Sequence, residues 1–339
     1  MKIHSRSIWL GFLSAAMVLL MLLWFIGIGE ISAAFAKLTT RSVAVIFGLA
    51  LAWMLSWSLA LHRILNVVGA KSSVWVAFLL FASSVFADNI TLFGQAGGGP
   101  FSALLISNST KTTYETGLAS ITSFDALNLL PSITLAVIGL SYYAVQYAVG
   151  QHLSLIMILI AGTIVCLPIV SYTSWRYSTQ INSKLTHLLT VILQYSTIFI
   201  PSYEPPGQDA IRERVDGYFQ TIHRISTNPT DLFAASMYLT IGWVLMGLIM
   251  FVSIQTLLGS VNFPLFVVFI IVPVATIASV TPLPGGTGGV EVAITLLLLP
   301  MGISKEVALG AALIYRLGTY WFSTLLGGIC VLILEQTTN

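Results

Sequence analysis

The sequence predicts an all-α, polytopic membrane protein: about eight transmembrane helices, with two re-entrant half-helix elements set in an internal repeat. Three observations predict it. Of 339 residues, 57% are hydrophobic and only 8% charged, with mean hydropathy +0.93, whereas soluble domains average about 25% charged. Apolar runs of spanning length recur along the chain. Two of them lead into Gly/Pro clusters followed by ionisable residues, which a bilayer tolerates only where protein or water surrounds them.

Residues 8–28, preceded by Lys2 and Arg6, form an apolar run longer than a signal-peptide core and read as a retained first span. Residues 42–61 form a second, and a third begins near Ser73. The third carries Ser84, Asp88, Thr91 and Gln95 at helical spacing, a polar stripe expected to face protein or water. Residues 94–108, opening Gly-Gln-Ala-Gly-Gly-Gly-Pro, are too short to cross and read as re-entrant. A long helix follows from Tyr114 to about residue 149, with Pro131 inside it and Thr122, Asp125, Asn128 and Ser132 on one face.

Residues 153–172 read as a further span, and residues 185–200 as an interfacial helix or a short ninth span. From Asp209, Ile211, Val215, Tyr218, Phe219 and Ile222 line one side of an amphipathic helix with Arg212, Glu213, Arg214 and Asp216 outward. Asn228-Pro229 reads as cap and first helical position. Spans at 229–258, 263–281 and 305–334 complete the chain, the last two separated by a second Gly/Pro break and an apolar half-helix.

The longest polar stretch, residues 201–228, is too short to bury a core. The expected organisation is a single membrane domain over 1–339, with repeat halves near 1–150 and 151–339 and a connection over 174–228. A formal charge of +2, with basic residues scattered along loops, gives no reason to expect nucleic acid. Cys166 and Cys330 lie in apolar segments as small hydrophobes, and the histidines read as structural loop or interface residues.

The repeat rests on one offset. Aligning Gly97 and Gly98 with Gly288 and Gly289 (288 − 97 = 191) holds without a gap from Gln95 to Ile133, placing Glu115 on Glu306, Phe124 on Tyr315, Asn128 on Thr319, Ser132 on Ser323 and Asp125 on Arg316. Corresponding interrupted segments in two halves of an apolar chain point to a transporter-like binding site.

Its strongest candidate is Arg316. An arginine inside a span is costly and faces a partner or a cavity. One reading is a clamp for a lipid phosphate through the guanidinium fork; the other is a structural ion pair with Asp125, and the two are compatible if the pair opens on binding. Glu291 opens the half-helix after the glycines, as a cap or as a site carboxylate, where backbone N–H groups of Gly288 and Gly289 could meet a head group. Asp88, Gln95, Gly97, Gly98, Asn128, Thr319 and Tyr320 complete the expected substrate site. No hydrolase elbow, metalloprotease, metal-pair or Walker sequence is present, so no catalytic residue, metal or cofactor is expected.

The segment Pro-Leu-Pro-Gly-Gly-Thr-Gly-Gly-Val-Glu ending at Glu291, with Ala-Ala-Leu-Ile-Tyr-Arg-Leu-Gly-Thr-Tyr-Trp ending at Trp321, resembles the closing motif of the lysylphosphatidylglycerol synthase transmembrane region, the flippase-like UPF0104 family. Phe93 to Pro100, Tyr114 to Ser120 and Asp125 to Pro131 resemble its first-half motif in the archaeal form. Val290 stands where relatives often carry arginine, and Gly99 where many carry an acid. The resemblance implies a multi-pass cell-membrane protein related to domains that move lipids between leaflets, here without a fused synthase or glycosyltransferase. The leading expectation is therefore a non-enzymatic translocase for a phospholipid or polyprenyl-phosphate head group. The alternative is an accessory subunit presenting lipid-linked substrate to a separate membrane glycosyltransferase or synthase; an embedded enzyme ranks last.

Overall fold

The computed structural model describes residues 35–70, 72–91, 94–147, 208–259, 263–281 and 283–338, and among them every regular element is helical. The expected segments at 8–28, 153–172 and 185–200 lie outside the described residues. Ten α-helices are described: α1 (Thr40–Val67), α2 (Val74–Ile90), α3 (Gln95–Thr110), α4 (Tyr114–Tyr147), α5 (Gln208–Ser226), α6 (Pro229–Leu258), α7 (Val268–Ile277), α8 (Gly289–Leu298), α9 (Lys305–Arg316) and α10 (Ser323–Thr338). Five segments are long and apolar enough to cross a membrane: Thr40–Val67, Tyr114–Tyr143, Pro229–Leu258, Pro284–Met301 and Lys305–Gln336. The protein is an all-α polytopic membrane protein.

Local chemistry sets most boundaries. Thr39 and Ser42 form a reciprocal capping box at the start of α1, and the Ser73 hydroxyl accepts from Val76 N at the start of α2, so each satisfies backbone donors that have no helical partner. Asn228 departs from expectation: Pro229 is at the first helical turn, but the Asn228 amide donates back to Arg224 O at 2.7 Å and does not cap α6. The amphipathic helix α5 buries Ile211 and Val215 and docks by Thr122 to Tyr218 (3.0 Å), Arg224 to Val68 O (3.3 Å) and an Arg214–Glu115 ion pair (3.6 Å).

Element bounds recur at the sequence offset. Tyr114 and Lys305 both open helices (305 − 114 = 191). Helices α1 and α6 pack along each other, and Met54 and Leu61 on the first and Leu239 and Met250 on the second are fully buried. Two further contacts cross between the halves: α2 packs on α10, and α7 packs on α4. Close approach at both crossings uses glycine, since a Cβ on Gly327 would lie 2.8 Å from Phe86 Cβ and one on Gly139 would lie 3.0 Å from Ile270 Cγ1. Small residues let apolar helices approach closely where no hydrophobic drive separates helix from lipid.

The two glycine clusters behave differently. Gly285, Gly286 and Gly288 all have positive φ in an irregular turn before α8, as their composition suggests. The run Gly97–Gly99 with Pro100 does not break the chain: it is helical within α3, and only Gly94 before it has positive φ. Packing is the reason, because α2 runs against this turn and a Cβ on Gly98 would lie 2.7 Å from Asp88 N. The polar stripe of α2 also ends early: Thr91 is an extended C-cap, and Gln95 opens the next helix.

Candidate functional site

A cavity of about 350 Å³ lies where α2, α4, α6, α7 and α9 converge. Six pairs of its lining positions are 191 residues apart: Val85/Thr276, Asp88/Ser279, Gly94/Gly285, Phe124/Tyr315, Asp125/Arg316 and Asn128/Thr319 (for example 316 − 125). Twelve of the cavity's lining positions thus pair at the offset read from the sequence.

Arg316 ends α9 and is 7% exposed. Its Nε donates to Glu291 Oε1 at 3.0 Å, and Nη2 donates to Gly285 O at 2.9 Å and Thr287 Oγ1 at 3.5 Å. Glu291, 2% exposed, accepts from Gly288 N at 2.7 Å through Oε2. The carboxylate thus closes the first turn of α8 and holds the arginine in one step, combining a helix-end preference with a charge-assisted bond. Tyr320 supports the guanidinium from below, with Cζ 4.1 Å from the ring centroid, a cation–π contact strengthened by burial. Gly285 is fixed by the same arrangement: its φ is +57°, and a Cβ would lie 2.9 Å from Tyr320 Cδ2. Arg316 Nη1 has no hydrogen-bond partner among the described residues.

The expected ion pair is thereby corrected. The counter-ion of Arg316 is Glu291, not Asp125, because the turn through Gly285 and Thr287 brings the start of α8 against the end of α9. Asp125 lines the same cavity from α4, with no ion-pair or hydrogen-bond partner among the described residues. Asp88 also lines it, packed over the first turn of α3 at Gly98. Asn128 Oδ1 accepts from Trp243 Nε1 at 2.8 Å, and the Thr319 hydroxyl is turned back to Tyr315 O at 3.0 Å. Tyr320 and Glu291 stand behind Arg316, Gly289 starts α8, and Gly97 lies inside α3. The Gln95 side chain lies outside the described residues.

Sequence reasoning missed the aromatic wall. Trp53, Trp57, Phe81, Phe124 and Trp243 line one side, with Trp57 5.4–6.1 Å from the other four ring centroids. Gly242 makes room for the Trp57 indole, whose Nε1 donates to Leu239 O at 3.1 Å. These rings come from α1, α2, α4 and α6, so no local spacing signals them. The six-residue π-helical turn Leu317–Phe322 between α9 and α10 was also missed; such turns gather at functional sites.

Family comparison points the same way as these elements. The profile of the lysylphosphatidylglycerol synthase transmembrane region matches residues 8–327. The chain belongs to that family. UPF0104 membrane proteins are similar over nearly their whole length: one from Pyrococcus horikoshii is 24% identical over 323 residues, covering 93% of each chain. One from Methanothermobacter thermautotrophicus is 25% identical over 337 residues, covering 97% of this chain and 93% of its own. A second Methanothermobacter protein is 22% identical over 321 residues. As a family member the chain is thus an integral membrane protein whose matched region includes both interrupted segments and Arg316.

A pair of variants tests how Asp88 is held. Gly98→Ala forces α2 and α3 apart at Asp88 and is expected to cost about 1–3 kcal/mol by overpacking. Gly99→Ala, where a Cβ meets nothing within 4 Å, is expected to be near neutral. Denaturant unfolding in detergent compares them, and equal losses would show that the α2–α3 approach is not tight.

Proposed function

We propose that this protein is a lipid translocase of the cell membrane that receives a phosphorylated head group in the cavity below Arg316. The observation that carries the reading is a largely apolar cavity that holds the buried Arg316 and whose wall includes exposed apolar side chains. Leu129 on α4 and Ile277 on α7 both line it, and they are 58% and 71% exposed. A head group can enter between them while its acyl chains stay in the bilayer. Arg316 supports a phosphate role through geometry, since two of its nitrogens are anchored and Nη1 remains to donate to an oxyanion. The paired lining positions support alternation of access about a fixed midplane site, with the 94–108 and 284–301 segments as re-entrant elements.

The test is reconstitution of the full chain into liposomes carrying a fluorescent anionic phospholipid, with dithionite quenching to read the outer leaflet. The expected result is movement between leaflets by the protein alone, many-fold above empty liposomes. If movement appears only after a glycosyltransferase or synthase is added, the accessory-subunit reading replaces this one.

A further inference from the structure

Two helices that correspond at the 191 offset run in opposite directions. Shifted by 191, α1 (Thr40–Val67) falls on residues 231–258 of α6. Yet the end of α1 meets the start of α6 through Arg63 and Asp231 at 3.5 Å, and Lys37, just before α1, donates to Leu257 O near the end of α6 at 3.1 Å. Between these ends Ser56 Oγ donates to Tyr238 O at 2.7 Å and Trp57 Nε1 to Leu239 O at 3.1 Å, so the pair is antiparallel along its length. The short apolar helices that follow, Val74–Ile90 after α1 and Leu265–Ile277 after α6, therefore start from opposite ends of this pair. Each packs on a helix of the other half, α2 on α10 and α7 on α4. These pairings also correspond, since α2 shifts to 265–281 and α10 to residues 132–147 of α4.

The two pairings are not equally closed. On the α2–α10 side, Asn89 Nδ2 donates across to Thr324 Oγ1 at 2.8 Å, Tyr320 is 4% exposed, and Phe86 sits against Gly327 and Gly328. At the corresponding places on the α7–α4 side, Ile277 (Phe86 + 191) and Leu129 (Tyr320 − 191) line the cavity and stand exposed. Phe86 and Tyr320 do not line it. The residues that correspond to Asn89 and Thr324 are Val280 and Ile133, which have no side-chain donor or acceptor.

We propose that the halves are an inverted repeat in which the α2–α10 and α7–α4 pairings are lateral gates to opposite leaflets, with Asn89 and Thr324 latching the first shut while the second stands open. This rests on the translocase reading and supplies its moving parts. A head group enters past Leu129 and Ile277, and leaves past Phe86 and Tyr320 once the two pairings exchange conformation. Inverted repeats provide such an exchange, because the second state reuses the packing of the first with the halves' roles swapped. Tyr320 links gate and site: its hydroxyl donates to Asn89 O at 3.4 Å, and its ring backs the Arg316 guanidinium. A latch on one gate only also biases the resting protein, since one net hydrogen bond shifts a two-state ratio by roughly two- to tenfold.

Two measurements on the full-length protein, with Cys166 and Cys330 replaced by alanine, test the gates. In liposomes, spin labels on Leu130→Cys and Ile277→Cys report the α4–α7 gap by pulsed electron paramagnetic resonance. Giving the latch the side chains of the other gate, Asn89→Val with Thr324→Ile, should raise the population of a shorter label distance roughly two- to tenfold. Thr324→Ser keeps the hydroxyl and should retain the parental distribution. An unchanged or lengthened distance in the double variant, or an equal shift in Thr324→Ser, would overturn the latched gate.

The second measurement holds the α2–α10 gate shut by joining Asn89→Cys to Thr324→Cys with a short, reducible thiol crosslinker. Movement of fluorescent anionic phospholipid should fall to the level of empty liposomes and return on reduction, whereas the reagent should not slow either single-cysteine protein. Movement that survives the crosslink overturns the gate. If the parent and the reduced variant move no lipid at all, the translocase reading fails, while the distance measurement still decides whether the two gates are coupled.

Discussion

Arg316→Ala is expected to be the most damaging single change at the site. It leaves Glu291, 2% exposed, with Gly288 N as its remaining partner, and breaking a buried pair on one side costs about 3–5 kcal/mol. It also removes the donor that ties the end of α9 to the Gly285 turn. The informative companion is Arg316→Lys. Lysine keeps the charge, but a single ammonium cannot reproduce the Nε and Nη2 geometry while also leaving a nitrogen for the cavity. The Arg316→Lys variant is expected to keep more than half of the stability that Arg316→Ala loses, and to lose most lipid movement. Unfolding in detergent and the liposome assay measure the two quantities, and a lysine variant that moves lipid at the parental rate would show that Arg316 is a counter-ion alone.

Trp57→Ala should be comparably destabilising for a different reason. The indole is 6% exposed and packs against Trp53, Phe81, Phe124 and Trp243, joining four helices. Truncation is expected to cost about 3–5 kcal/mol through lost contact and residual void, and Trp57→Phe roughly half as much, because the ring stack persists while the bond to Leu239 O is lost. Thermal unfolding of the two variants checks this ordering. Equal losses would place the stabilisation in the indole N–H bond.

What the sequence made legible follows from which physics is local. Helix identity and bounds were readable because apolar length, caps and breakers act within a few residues; the predicted span at 229–258 coincides with α6. Arg316, Asp125 and Asp88 stood out because ionisable groups in apolar runs are costly wherever they end up. The partner of Arg316 was misjudged because the repeat suggested a symmetric answer, whereas the Gly285 turn, 31 residues away, decides it. The aromatic wall was invisible for a related reason: each ring is ordinary on its own helix, and only the meeting of four helices gives it a role. The Gly97–Gly99 run misled because glycine serves both turns and tight packing, and composition does not tell the two apart.

The π-helical turn at Leu317–Phe322 sets a limit on the symmetry of the cavity. Bonds from i to i+5 take up one residue more per turn than those of an α-helix, so the chain beyond the turn is out of phase with its counterpart on α4 even though the residue numbering stays at a constant offset. Around the start of the turn three counterpart pairs share the cavity: Phe124 with Tyr315, Asp125 with Arg316, Asn128 with Thr319. Beyond them they part. Leu129 and Ser132 line the cavity, while Tyr320 and Ser323 do not, and the Tyr320 ring lies beneath the guanidinium instead. The interior is thereby handed: one wall presents a guanidinium backed by the Tyr320 ring and the other presents Asp125 and Ser132, so a bound molecule would meet different chemistry at its two ends.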